Sequence, residues 1–530
     1  MLSINRVKCV AHLGLIQKGY LSAVRHNSTK SGAADAVGGK PSSVARNTYK
    51  VNENSTYPED AADATSTILA DAIDFQKRIQ AKDRVTWWEI LEKKNQRQKE
   101  GKNIDSLTID DVKTTRVSFS FITLPFKDDL FLRDFYINAP GRLRFGHLFQ
   151  DLDALAGRVA AKHCKPAEPM NVTASIDRIY VTKKIDEIDK YNFLIVGFVT
   201  YTGNSSMEIC IKGFAYEENL PENESIGPSI VEKDSKKCFL SANFTFVARN
   251  PATHKAHKIN KLLPTSELEW IDFRRAESHN AAKKLRAKTS SLDKVPPTAD
   301  ESKMIHSLYN SSKRLFSIPV NERPNNLFLM ENTRVSATQV QQPQYRNRHG
   351  IIFGGYLLRQ TFELAYCAAG AFSRSYPRFI SLDNTTFKAP VPVGCVLSMN
   401  AEVCYTEHLH DENEDSTSAK VLSDLLKDYD TSANSLSTDT HEFLSVPGTM
   451  IQVKVDTKVR SLSDASAFTE SGTFVYSFYV PRDVEGYDSP GYSSVIPQSY
   501  GEMMDYVQGR RRAYETAAYA QQLKYSGELD

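Results

Sequence analysis

Two carboxylic acids stand in stretches that are otherwise built for burial. Asp153 lies within Asn138 to His163 (NAPGRLRFGHLFQDLDALAGRVAAKH), and Glu363 within Asn347 to Phe372 (NRHGIIFGGYLLRQTFELAYCAAGAF). A carboxylate inside an apolar helix is costly unless it is paired or used. In both stretches an Asn precedes a Gly by eight positions, Asn138 to Gly146 and Asn347 to Gly355, and in the second Gly354 adds another small residue. Small residues where a helix begins let a foreign group approach the first, unbonded N–H groups. Those donors, with the positive end of the helix dipole, suit a carbonyl oxygen that is gaining negative charge. If two such units faced each other, the acid of one would meet the Asn and glycine turn of the other. A base or nucleophile, an orienting amide and an oxyanion site are sufficient to hydrolyse an activated acyl group. The plainer reading is that both acids only bond to backbone or Arg groups across the seam.

The elements around these residues repeat. The two Asn-to-helix stretches lie about 210 residues apart, and each is followed by a strand carrying Ser-aliphatic-Asp, Ser175-Ile176-Asp177 and Ser381-Leu382-Asp383. The chain reads as a diverged duplication. In the first copy, strand-like runs are expected at Val117 to Leu124, Val172 to Thr182, Tyr191 to Thr202, Met207 to Tyr216 and Cys238 to Ala248. Met207, Ile209 and Ile211 alternate with Glu208 and Lys212, the period of a sheet covered on one side. The second copy repeats the order with Tyr356 to Phe372 as its buried helix, then strands near Arg378 to Lys388, Val396 to Tyr405, Met450 to Val459 and Thr473 to Val480. Each copy predicts an α+β unit, a curved antiparallel sheet with meander connections wrapped around one long helix.

The 530 residues divide accordingly into 1–34, an N-terminal targeting segment; 35–110, a disordered stretch and helical arm; 111–250, the first domain; 251–325, a helical connector; 326–485, the second domain; and 486–530, a tail. Residues 408–445, acidic and rich in Ser, Thr and Asn, read as an insertion in a hairpin. The first 34 residues contain no acid but include Arg6, Lys8, Lys18, Arg25 and Lys30, the composition of a mitochondrial presequence. A net charge of +2, from 66 basic and 64 acidic side chains, gives no global argument for nucleic-acid binding. No apolar run approaches the ~18 residues of a bilayer span. Seven cysteines without C-x-x-C pairing read as buried free thiols rather than a zinc site. His408 and His410 form an H-x-H pair without a third ligand at a useful spacing, so no metal is expected. The connector's basic cluster, Arg274, Arg275, Lys283, Lys284, Arg286 and Lys288, reads as a solvated helix face ahead of a phosphate site. Walker, G-x-S-x-G and dinucleotide motifs are absent.

Four stretches carry a resemblance to a known family: Arg144 to Gly157, Arg346 to Tyr366, Leu382 to Leu397 and Ser499 to Arg511. Over roughly Val117 to Arg512 the chain resembles the tandem hotdog-fold acyl-CoA thioesterases, in particular the mitochondrial acyl-CoA thioesterase 9 type. That resemblance implies two hotdog domains and hydrolysis of fatty acyl-CoA to free acid and coenzyme A, without metal or cofactor; the presequence-like composition of residues 1–34 leads to the expectation of a soluble matrix protein. It also implies homo-oligomers, with trimers of double hotdogs as one form. Carried over to this chain, Asn347 orients the thioester or water, Asp153 is general base or nucleophile, and amides around Gly354 and Gly355 hold the oxyanion. The reciprocal site would use Asn138 and Glu363. Glu363 lies eight residues after its Gly whereas Asp153 lies seven after its own, and one helical step is about 100° of rotation, so a single dominant site is expected. The alternative class is a non-catalytic acyl-CoA binder or assembly protein on the same scaffold. A hotdog dehydratase would need a catalytic His near the helix entrance, where His147 and His349 stand without a dehydratase-like arrangement.

Overall fold

In a computed structural model of the chain, the described residues are 112–289, 292, 295–323, 326–347, 349–409, 444, 446–463, 467–481 and 493–525. The targeting segment, the N-terminal arm, most of the 408–445 insertion and His410 lie outside them.

The helices of seven residues or more are α1 (Leu130–Tyr136), α2 (Phe145–His163), α3 (Glu267–Thr289), α4 (Ala299–Ser317), α5 (Gly354–Ser373) and α6 (Tyr500–Tyr525). The strands are β1 (Ser120–Leu124), β2 (Met170–Val181), β3 (Asn192–Thr202), β4 (Ser206–Tyr216), β5 (Cys238–Arg249), β6 (Leu327–Leu329), β7 (Val335–Val340), β8 (Arg378–Phe387), β9 (Val396–Leu409), β10 (Gly448–Arg460), β11 (Thr469–Pro481) and β12 (Ser494–Ile496). Ten of them form one antiparallel sheet in the order β1-β3-β4-β5-β2-β8-β11-β10-β9-β7. Its two halves have the same order, each a hotdog with its own central helix, and they join where β2 pairs with β8. β6 and β12 pair separately and in parallel.

The duplication is visible residue by residue. Asn138 and Asn347 each open a turn closed by a left-handed glycine, Gly141 at φ +81° and Gly350 at φ +80°, and each turn leads into a central helix, starting at Phe145 and Gly354. Through turn and helix the copies are offset by 209 residues, and along β2 and β8 by 206, so that Ser175 and Asp177 match Ser381 and Asp383. The β2–β8 register, which sets Arg178 opposite Asp383 and Tyr180 opposite Ser381, is symmetric under that offset.

α2 and α5 are helices because apolar residues recur at three- and four-residue intervals nearly all round them. Leu148, Phe149, Leu152, Leu155, Ala156 and Val159 are buried in one, and Leu358, Phe362, Ala365, Ala368, Ala369 and Phe372 in the other. The two helices pack directly on each other inside the sheet. α5 ends where Arg374 turns left-handed at φ 56°.

Three expectations are corrected. The meander holds only for β3-β4-β5 and β9-β10-β11, because β2 and β8 lie beside β5, β11 and each other rather than beside their successors β3 and β9. Val117 and Ser118 belong to a single helical turn, Thr115–Ser118, and β1 begins only at Ser120. The alternation in β4 does not mark a half-exposed sheet: Glu208 is 5% and Lys212 7% exposed. Connector helix α3 covers that outer face, where Arg275 Nη2 meets Glu208 Oε1 at 3.1 Å and Lys283 pairs with Asp177. Two members of the basic cluster therefore anchor the connector to the sheet instead of facing solvent or phosphate. α6 closes the outer face further along, with Thr516 on Asp383 and Tyr519 on Tyr180.

Of the six described cysteines, Cys164, Cys210, Cys238, Cys395 and Cys404 are buried and Cys367 is exposed, all as free thiols. His408 places Nδ1 2.9 Å from Thr449 Oγ1 and Nε2 2.7 Å from Ser494 Oγ. No cluster with metal-ligating composition, and no helix long and apolar enough to cross a membrane, occurs among the described residues.

Candidate active site

Neither central helix receives a side-chain cap from its own N-cap residue, Arg144 in α2 or Phe353 in α5. The first N–H groups of α5 are therefore open to a group from elsewhere. Asp153, two turns into α2 and 1% exposed, supplies it, accepting a hydrogen bond from the backbone N–H of Gly355. Gly354 must be small for this: a Cβ built there would lie 3.0 Å from Asp153 Oδ2. Gly355 must be small for a different reason, since its Cβ would lie 2.9 Å from the backbone Cα and O of Gln150, where the helices touch.

Thr173 of β2 donates from Oγ1 to Asp153 Oδ1 at 2.8 Å. Burial pushes the carboxyl up to about 6, and the bonds from Thr173 and Gly355 offset only part of that. The result is an acid that is ionised near neutrality and still basic enough to take a proton.

Asn347 holds its turn in place: its Oδ1 accepts from His349 N at 2.8 Å and Ile351 N at 3.4 Å. With the amide oxygen so engaged, the end of Asn347 that can serve a ligand is its NH2 donor. Asp153, Thr173, Asn347 and Gly354 all line one cavity of about 1430 Å3, formed by both halves. Its walls combine apolar residues such as Ile122, Leu124, Leu132 and Leu155 with cations including Arg158, Lys162, Arg249 and Lys388. Gln150 lines it too, and its Oε1 is buried without a hydrogen-bond partner among the described residues.

The reciprocal arrangement is different. Asn138 keeps its turn, with Oδ1 accepting from Arg142 N at 2.8 Å. Glu363 sits over the entrance of α2, 2.9 Å from where a Cβ on Gly146 would be, but it is 37% exposed and bonded at 2.8 Å by Arg144 Nε. The helix offset makes Phe362 the counterpart of Asp153 and Ala154 that of Glu363. By the same offsets Phe379 stands where Thr173 would, and Phe145 where Gly354 would. These rings fill the space: Phe145 and Phe379 are 5.1 Å apart, Phe362 and Phe379 5.4 Å, and Phe149 touches both Phe362 and Phe379 at 5.1 Å. The sequence-expected residues thus form one set around Asp153, Asn347, Gly354 and Gly355, and a second, around Asn138 and Glu363, that lacks a buried unpaired acid.

Sequence reasoning missed Thr173 and Gln150. Thr173 could have been found as the polar residue four positions before Asp177 where its counterpart is Phe379; Gln150 carried no signal beyond lying one turn before Asp153. Of the two histidines, His349 lines the cavity, whereas His147 packs edge-on against Tyr136 at 4.6 Å.

No protein-family model matches the sequence. Among relatives, acyl-coenzyme A thioesterase 2, chloroplastic, of Humulus lupulus is 34% identical over 316 residues, 58% of this chain and 68% of that protein. Acyl-coenzyme A thioesterase 9, mitochondrial, of Mus musculus is 28% identical over 403 residues, 75% of this chain and 77% of that protein. Among solved structures, an acyl-CoA hydrolase from Staphylococcus aureus in complex with butyryl coenzyme A and coenzyme A is 21% identical, covering 33% of this chain and 90% of its own, with a TM-score of 0.26.

Proposed function

The chain belongs to the acyl-coenzyme A thioesterase family, and from that premise we propose that it hydrolyses acyl-CoA at one site, the cavity around Asp153. The observation that carries this assignment is a buried carboxyl pushed to about 6 in a large cavity built from both halves, against an ion-paired acid and a block of aromatic rings at the reciprocal position. The products are a free fatty acid and coenzyme A.

In this reading the acyl chain lies against the apolar wall of Ile122, Leu124, Leu132 and Leu155, and the phosphates of coenzyme A meet the cavity's Arg and Lys side chains. Asp153, as carboxylate, takes a proton from a water that Gln150 helps to hold. The water oxygen bonds to the thioester carbon. Negative charge then gathers on the carbonyl oxygen, which the Asn347 NH2 and the N–H of Gly354 receive; as the first residue of its helix, Gly354 has no intrahelical acceptor for that N–H. Gly355, expected to share this duty, instead supports the base. The carbon–sulfur bond breaks, and the proton held by Asp153 passes to the departing thiolate. In the nucleophilic variant an Asp153 oxygen bonds to the thioester carbon, the carbon–sulfur bond breaks to release the thiolate, and water then hydrolyses the mixed anhydride to free acid and the Asp153 carboxylate.

The mitochondrial acyl-coenzyme A thioesterases 9 and 10 among the relatives support the mitochondrion as compartment, and the acid-free basic composition of the first 34 residues supports the matrix within it. A homo-oligomer of these double hotdogs, with the trimer as one form, stays part of the proposal.

Release of thiol from acyl-CoAs of increasing chain length, by wild type, Asp153→Asn and Asn347→Ala, tests the assignment. Turnover by wild type that both substitutions remove is expected. Turnover that survives Asp153→Asn would move the chemistry elsewhere, and wild type that binds acyl-CoA without turnover would make this a binding protein.

A further inference from the structure

The apolar wall of the large cavity ends on α1, and α1 belongs to one half only. Leu124 closes β1 fourteen positions before Asn138, whereas Val340 closes β7 seven positions before Asn347. The shorter connection holds the single turn Pro343–Tyr345, and the longer one has room for a helix. Asp128, Asp129, Leu132 and Tyr136 bring this longer connection into the cavity lining. The Asn turn and central helix are thus present in two copies, but this end piece in one.

The helix is built as a fixed wall. Asp129 caps its first turn, with Oδ1 accepting from Leu132 N at 2.9 Å. Phe126, just before the helix, and Tyr136, its last residue, are both buried, and their rings lie 5.1 Å apart. Tyr136 also donates its hydroxyl to the buried Asp151 of α2, and its ring takes His147 edge-on. Swinging α1 aside would break this cluster at both of its ends. The wall is one helix thick among the described residues: Leu132 lines the cavity, while Leu130 is 61% and Phe135 40% exposed. Its distance from the reacting group follows from the packing. α1 packs on α2, Tyr136 is tied to Asp151, and Asp151 is two positions from Asp153. Packed helices stand ~8–10 Å apart. At ~1.2 Å of extension per bond, an acyl chain that starts beside Asp153 meets α1 after about eight carbons.

We propose that α1 sets the chain length of the substrate, with Leu132 as the residue that stops the acyl tip, so that the cavity takes medium-chain acyl groups ahead of long ones. This rests on the reading of the large cavity as an acyl-CoA site, but not on the hydrolytic step. A longer chain must displace a helix fastened at both ends, and a shorter one leaves Leu132 without an apolar neighbour. In an apolar pocket one methylene too many or too few changes discrimination by roughly 10- to 200-fold.

Calorimetric titration of the full chain with non-hydrolysable thioether analogues of butyryl-, octanoyl- and palmitoyl-CoA tests it, beside kcat/KM for the matching thioesters, in wild type, Leu132→Ala, Leu132→Trp and Leu130→Ala. Wild type should favour the octanoyl over the palmitoyl ligand by about tenfold or more. Leu132→Ala should shrink or reverse that ratio, and Leu132→Trp should move the preference to butyryl. Leu130→Ala, on the exposed side of the same helix, should keep the wild-type order. Wild type that favours palmitoyl, Leu132 variants that lose affinity equally at every length, or Leu130→Ala that changes the order as Leu132→Ala does would each overturn the proposal. The expected order in thioether affinity, without turnover of any thioester, would instead uphold the wall and overturn hydrolysis.

Discussion

Replacing Asp153 by Asn should abolish turnover and make the protein more stable at neutral pH. The carboxyl titrates near 6 in the folded protein against 3.8 for an ordinary Asp. Below pH 3.8 it is protonated in both states and contributes nothing. Between 3.8 and 6 the unfolded chain binds fewer protons than the folded one, so stability falls as pH rises; above 6 the cost is complete and constant. At ~1.4 kcal/mol for each pH unit that cost is about 3 kcal/mol. The neutral amide escapes it but keeps one acceptor for two donors, Thr173 Oγ1 and Gly355 N–H, and losing one hydrogen bond costs about 1 kcal/mol. A net gain of about 2 kcal/mol above pH 7, reversing to a loss of about 1 kcal/mol below pH 4, is the expected result. Urea unfolding of both proteins at pH 4.0 and 8.0 measures it directly. Loss of general-base catalysis should cost roughly 10^2 to 10^4 in kcat, and wild-type kcat/KM should fall on the acid side with an inflection near 6. A variant no more stable than wild type at pH 8, together with an acid limb in the ordinary carboxylate range, would show that the charge is compensated and refute the reasoning.

Thr173→Val removes a bond that favours the ionised form, so the acid limb of kcat/KM should move to higher pH; an unmoved limb would show that Thr173 does not touch the base. Glu363→Gln should leave turnover within about twofold of wild type, since its effect is on an exposed pair with Arg144, and loss comparable to Asp153→Asn would restore the reciprocal site. Gly354→Ala should suppress kcat with little change in melting temperature, because the new methyl meets Asp153 Oδ2 at 3.0 Å. Gly355→Ala should instead destabilise by about 1–3 kcal/mol, its Cβ meeting the Gln150 backbone at 2.9 Å, and denaturant unfolding separates the two. Lys283→Met leaves Asp177 buried without its cation and should cost roughly 1–3 kcal/mol, discounted for the exposed end of the lysine.

What the sequence made legible was local. The Asn turn, the glycine and the apolar helix are contiguous, so both copies of the entrance could be read, and counting from Gly146 and Gly355 already put Glu363 one helical step from the position of Asp153. Strand positions were legible because alternation and turn residues are short-range. What escaped depends on partners far along the chain. Glu208 read as solvent-facing because the helix whose Arg275 meets it, Glu267–Thr289, follows some 60 residues later. The place of β2 beside β8 is a pairing across about 200 residues, with no turn to announce it. Thr173 is one hydroxyl in a strand, and only the fold brings it to Asp153.

The pairing of β2 with β8 also has a consequence for how two sites on one scaffold can differ. Each site draws its acid position from one half and its glycine entrance from the other. In a dimer of identical hotdogs, a Phe in place of the acid would strike both sites at once. With the halves in one chain and one continuous sheet, Phe362 disables only its own side, and the Asp153 side keeps its chemistry. Joining the two copies covalently turned a symmetry that had to be obeyed into a choice made separately at each end.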